Sequence, residues 1–143
     1  MSQKSTARSR NLQTKEEYLA FERSAQTKHE YSNGGIIAFA GASRAHNLIV
    51  SKASRRLGNQ LEGKPCEVYI GDMRVRTTAV DYAYPDVVIV CGEPRFEDGN
   101  LDTLLNPTVL IEVLSQSTEA RDRGDKLHDY RSIESLQDYL LMS

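Results

Sequence analysis

Tryptophan is absent from this 143-residue chain, and cysteine (two residues) and proline (four) are scarce. A small disulfide-stapled scaffold needs many more cysteines than this. Cys66 and Cys91 form neither a C-x-x-C pair nor a zinc-ligand spacing. Each lies in an apolar run, CEVYI and VVIVC, where a free cysteine acts as a small buried hydrophobe, so both are expected to be free thiols. No stretch approaches the ~18 consecutive apolar residues of a membrane span. The opening MSQKSTARSRNLQTK lacks the apolar core of a secretory leader, and the expected location is the cytoplasm. An excess of one charge is missing too: 20 acids nearly cancel 18 bases, for a formal net charge of −2. That balance disfavours a polybasic, non-specific nucleic-acid binder, which needs a clear Lys/Arg excess.

The length suits one domain, and the charge is unevenly spread along it. Asp81 to Glu112 holds seven acids (Asp81, Asp86, Glu93, Glu97, Asp98, Asp102, Glu112) and one base, Arg95. Ser51 to Arg76 holds six bases against three acids. The first segment can supply metal ligands and the second can attract phosphate, although a mixed solvated surface gives the same counts.

Residues 1–12 are polar, basic and aperiodic, which predicts a disordered tail before a single domain over 13–143. Thr14 to Glu17 fits a capping box opening a short helix whose apolar side is Tyr18, Leu19 and Phe21. HEYSNGGIIAFAG reads as a hairpin turning at Asn33-Gly34-Gly35. Gly41 to Gly63 is the longest helical signal, capped by Ser43, with Leu48, Ile49, Ala53, Leu57 and Leu61 at helical spacing and Lys52, Arg55 and Arg56 outward. CEVYI, MRVRTT and DVVIVC read as strands, and EPRFEDGNLDTLLNP as a loop holding one helical turn. TVLIEVLS has apolar residues on both faces, as a central covered strand should. Arg121 to Arg131 reads as a helix and YLLM as a last strand. This order predicts an α+β (α/β-like) fold with a mixed central sheet flanked by helices.

Glu112 is the anomaly in that pattern. A carboxylate in the middle of VLIEVL is poorly solvated on either face of a strand, and burying it costs several kcal/mol unless a cation or donors compensate. It is either ion-paired with an arginine or a ligand. Asp86, opening DVVIVC after Pro85, is either a residue that starts a strand or a second carboxylate on a neighbouring strand. Two such oxygens suit Mg²⁺ or Mn²⁺. Lys126 follows fourteen residues after Glu112 on the next helix. It either forms a solvated i,i+4 pair with Asp122, in the stripe that continues to Tyr130, or reaches back to orient water and stabilise phosphate charge. His46 opens the long helix, where it can cap, pack or approach a phosphate. Asp72 is either a turn residue or a further acid, while His29 and His128 read as surface.

Pro85-Asp86-Val87, Glu112-Val113-Leu114-Ser115-Gln116-Ser117-Thr118 and Asp122-Arg123-Gly124-Asp125-Lys126 with Tyr130-Arg131 resemble the Uma2 (DUF820) family of endonucleases. That family lies within the PD-(D/E)XK superfamily. The resemblance runs upstream through NGGIIAFAGAS, His46-Asn47 and Asp72-Met73-Arg74-Val75, covering about residue 14 to the end. It implies a restriction-endonuclease-like core and a metal-dependent endonuclease acting on DNA, leaving a 5′-phosphate and a 3′-hydroxyl. It implies Asp86, Glu112 and the main-chain carbonyl of Val113 as ligands of Mg²⁺ (or Mn²⁺), Lys126 as the site lysine, and a homodimer. The usual lysine position two after Glu112 is Leu114, and the family pattern moves the lysine to the following helix. Family members usually carry a Glu where this chain has Gly35, with Glu30 nearby. They usually continue past the segment matching Tyr139-Leu140-Leu141, so a C-terminally shortened member is expected. Additional site residues are Glu30, His46, Asp72 and Tyr130, with Lys52, Arg55 and Arg56 as DNA contacts.

Two other classes compete. A nuclease-fold module that binds nucleic acid or a protein without turnover fits the near-neutral charge and Gly35, but not three intact site residues. A two-carboxylate glycosidase needs acids spaced across a sugar cleft and aromatic platforms, for which a chain without Trp is poorly equipped.

Overall fold

A computed structural model describes residues 12–39, 42–78, 80–115 and 123–143. The predicted disordered tail lies outside the described residues except for Leu12, as do Gln116 to Asp122 of the family motif. Thr14 caps α1 (Lys15–Ser24) through the expected box: its side chain accepts from Glu17 N–H, and the Glu17 carboxylate accepts from Thr14 N–H at 2.8 Å. That carboxyl is held below its usual range by the backbone hydrogen bond from Thr14. Tyr18 and Leu19 are buried as expected, but Phe21 is 44% exposed and Glu22 is buried in its place. The reason is polar: Glu22 accepts hydrogen bonds from His29 N–H and from Tyr84 Oη, both at 2.8 Å.

β1 (His29–Ser32) and β2 (Gly35–Ala38) form the hairpin in the register Ser32↔Gly35. Its two-residue turn has Asn33 at φ 51° and Gly34 at φ 81°, the pair of positive values that matches the twist of the flanking strands. Ser43 Oγ accepts from His46 N–H at 3.1 Å to start α2 (Arg44–Leu61), and Lys52, Arg55 and Arg56 are exposed on its outer side. Then follow β3 (Cys66–Ile70), β4 (Arg74–Arg76), β5 (Tyr82–Ala83), β6 (Val87–Cys91), β7 (Thr103–Leu104), β8 (Val109–Val113), α3 (Asp125–Tyr130) and β9 (Asp138–Met142).

The fold class is the expected one, α+β with mixed strand directions, and the strands divide into two sheets. One has the order β2-β1-β5-β4-β7 and the other β3-β6-β8-β9; β4 runs parallel to β7, and β8 parallel to β9. β8 is central, as its two apolar faces require. Leu110 joins Val88, Val90, Val75, Leu104 and Tyr130 in the main core. By alternation Ile111 and Val113 face the other way, where α2 lies against β3, β6 and β8. A second cluster stacks Tyr18 on Tyr31 and Tyr82, with ring centroids 5.0 and 5.5 Å apart. Among the described residues no helix is long and apolar enough to cross a membrane.

Two expectations are corrected. Cys66 and Cys91 are not free thiols but a disulfide. They are register partners at one end of the antiparallel β3–β6 pair, with Cα atoms 4.0 Å apart. The pairing was invisible while the two apolar runs were read separately. The 93–107 loop holds no helical turn. Instead Thr103 and Leu104 pair with Arg74 and Val75, because burying Leu104 completely favours an extended segment against the sheet edge.

Candidate active site

Four elements converge on the end of β8. Continuing the β6–β8 register, in which Val87 opposes Ile111, sets Asp86 opposite Glu112. Asp86 is fixed there by both carboxylate oxygens: Oδ2 accepts from Val113 N–H at 2.7 Å, and Oδ1 lies 3.1 Å from His46 Nε2. The N-terminal turn of α2 supplies that imidazole, so the helix cap at Ser43 indirectly places it. Asp86 and His46 are both buried, each side chain about 9% exposed.

Glu112 is fully buried, and so is Glu30 of β1. α3 carries Lys126 between them. Its Nζ donates to Glu112 Oε2 at 2.9 Å and to Glu30 Oε2 at 3.1 Å, while Glu30 Oε2 also accepts from Tyr84 N–H at 2.8 Å. The lysine side chain is 4% exposed. A carboxylate or ammonium buried alone would be prohibitively costly. Here each charge has an opposite charge at hydrogen-bond distance, the condition under which buried ions persist.

Tyr84 ties this group to the first sheet. Beyond its N–H to Glu30, its hydroxyl donates to Glu22 and accepts from Arg74 Nη1 at 3.1 Å. Burial pushes the Tyr84 hydroxyl well above its ordinary value, so it stays a donor at any physiological pH.

The structure thus brings together Asp86, Glu112, Lys126, Glu30 and His46. Val113 joins through its main chain. Lys126 is not the solvated helix-surface cation that an i,i+4 stripe would give, since it points into the protein. Tyr130 is buried with the hydrophobic core, its ring edge-on to Tyr139 at 4.8 Å. Asp72 is 91% exposed at the rim of the cleft, paired with Lys28. At 100° per residue Arg55 falls about 180° around α2 from His46 and so faces away from Asp86, whereas Lys52 and Arg56 fall about 120° and about 80° from it. Sequence reasoning missed Tyr84 and Lys28. Tyr84 stood two residues before Asp86, the one local signal for it.

Next to Asp86 and His46 opens a cleft of about 370 Å³, bounded by α2, Tyr84 and the turn after β3. Among the described residues no three His, Cys, Asp or Glu side chains are grouped closely enough to enclose an ion. The donor set that remains is two carboxylates, Asp86 and Glu112, on neighbouring strands, the hard oxygen chemistry that Mg²⁺ takes while keeping several waters and few protein ligands.

Comparison with known proteins agrees with this architecture. Two uncharacterized proteins of Synechocystis sp., sll1609 and slr1290, are similar to this chain. The first is 38% identical over 130 residues, 90% of this chain and 73% of the relative. The second is 40% identical over 129 residues, 90% of this chain and 67% of the relative. A crystal structure from Anabaena variabilis, described as a "putative nuclease belonging to DUF820", shares the fold with a TM-score of 0.71 and 19% identity, over 88% of this chain and 74% of that one. The sequence model of one family, described as "Putative restriction endonuclease", matches residues 15–143. This chain belongs to that family, Uma2.

Proposed function

We propose that the protein is a metal-dependent endonuclease that hydrolyses phosphodiester bonds in DNA. The observation that carries this reading is the buried Glu30–Lys126–Glu112 group beside Asp86, whose carboxylate is clamped by Val113 N–H and His46. Such charges cost stability, and a merely structural core would do better with apolar residues of the same volume. Asp86, Glu112 and the Val113 carbonyl are the groups that would hold Mg²⁺ or Mn²⁺. Bound there, the ion supplies Lewis-acid polarisation of the scissile phosphate and a more acidic water.

The remaining roles fall to the protein's own groups. His46 and Val113 N–H fix the rotamer of Asp86, so its oxygens need no reorganisation when substrate arrives. Glu30 holds Lys126 at the edge of the site, from which its ammonium can orient the attacking water and offset charge on the phosphorus. The enzyme works as a homodimer on a DNA partner, with Lys52, Arg55 and Arg56 as outlying phosphate contacts.

Plasmid nicking with Mg²⁺ or Mn²⁺, beside an EDTA control and Glu112→Gln, tests this reading. Metal-dependent nicking by the wild type, lost in Glu112→Gln, is expected. Binding without turnover under every metal would replace the enzyme with a nuclease-fold binding module. That is the outcome expected if Lys126 serves only as a permanent counter-ion for the two glutamates.

A further inference from the structure

The cleft beside Asp86 has a second wall that the chemistry above leaves unused. Lys28 stands on it, just before β1. Its Nζ donates to Gly71 O at 2.7 Å, lies 3.2 Å from Asp72 Oδ1, and sits 5.6 Å from the centroid of the Tyr84 ring. Gly71 in turn donates its N–H to the main-chain carbonyl of Asp86 at 3.0 Å. The ammonium is therefore tied to the backbone of the site acid through one residue. Gly71 adopts φ 54°, a left-handed turn that side chains with a Cβ enter at a cost.

Of the three groups around this ammonium, the carbonyl and the ring fix it without neutralising it. Only Asp72 carries opposing charge, and its side chain is 91% exposed against 40% for Lys28. So open a pair is worth at most ~1 kcal/mol, and a better-placed anion can displace it. A phosphodiester offers the same charge and acceptor geometry, on a polymer that presents another phosphate beside the reacting one. The facing first turn of α2 carries no acid and would not repel that strand.

We infer that Lys28 binds a backbone phosphate of the DNA strand next to the one cleaved, and that Asp72 is the exchangeable counter-ion this phosphate displaces. The inference rests on the nuclease reading and adds to it a path for the strand, past the turn that follows β3.

Equilibrium binding of a short DNA duplex in EDTA, followed by fluorescence anisotropy across a range of NaCl, tests it with Lys28→Gln, Asp72→Asn and the double variant. One lost phosphate contact lowers the salt slope by about 0.9 and affinity by about eightfold at 0.1 M salt; Lys28→Gln should show both. Asp72→Asn should act in the opposite direction and tighten binding, and in the Lys28→Gln background it should change affinity by less than about twofold. In nicking assays Lys28→Gln should raise KM and spare kcat. Wild-type slope and affinity in Lys28→Gln would overturn the inference alone. So would equal tightening by Asp72→Asn in both backgrounds, which would mark a general charge effect. A wild type that neither binds nor nicks DNA overturns the nuclease reading and this inference with it.

Discussion

Replacing Lys126 with methionine keeps most of the side-chain volume and removes the charge that Glu30 and Glu112 share. Both glutamates are 0% exposed at the side chain and the lysine is 4% exposed, so water cannot take over the ammonium's role. Breaking a buried ion pair from one side costs about 3–5 kcal/mol. That is a large share of the 5–15 kcal/mol that holds a typical domain together. At about 2–4 °C per kcal/mol for a chain near this size, Tm should fall by roughly 6–20 °C. Urea titration in a buffer free of divalent ions measures the loss directly. The double variant Lys126→Met with Glu30→Gln should be more stable than the sum of the single changes predicts, by at least about 1 kcal/mol, because one of the stranded charges has gone. A Lys126→Met protein within about 1 kcal/mol of wild type, or strictly additive single changes, would refute the view that the ammonium is the shared counter-ion. The consequence for function is practical. Loss of nicking in Lys126→Ala indicts the lysine chemically only if the variant is shown to be folded at the assay temperature.

Divalent metal should raise Tm in proportion to the logarithm of its concentration once above Kd; Glu112→Gln should abolish most of that gain, and a wild type indifferent to millimolar Mn²⁺ would remove Asp86 and Glu112 as ligands. Reducing Cys66–Cys91, which closes a separation of 25 residues, should cost about 3.5 kcal/mol on the chain-entropy relation; urea midpoints that coincide with and without dithiothreitol would refute the cross-link's contribution. The hydrogen bond from Arg23, aided by the nearby Arg74 charge against a desolvation that works the other way, holds Asp102 down at about 2. A carboxyl lowered in the folded state stabilises fully above its unfolded value and loses that stabilisation as pH falls through the folded one. The Arg23→Ala penalty, at most about 1 kcal/mol for so exposed a pair, should therefore be complete above about pH 4 and fade toward pH 2, and a penalty that grows on acidification would contradict the pairing.

Local rules carried far in this chain. The Thr14 box, the Asn33-Gly34 turn, the Ser43 cap and the extents of β6 and β8 depend on neighbours within a few residues, so the sequence displays them. Glu112 was conspicuous for the same reason, as a carboxylate inside an apolar strand whose alternation permits no solvated face. The sequence also offered Asp86 and Lys126 as candidates, each beside a plainer alternative, because neither announces its partner. What the tertiary structure alone decided is which charges meet. Glu30 reaches Lys126 across 96 residues, Tyr84 reaches Glu22 across 62, and Cys66 faces Cys91 because of a strand register. Pairings of this kind are set by sheet order and by how α2 and α3 settle on it. Desolvation then makes each meeting obligatory: a buried charge must find its counter-charge wherever the chain brings one, and sequence separation carries no record of where that will be.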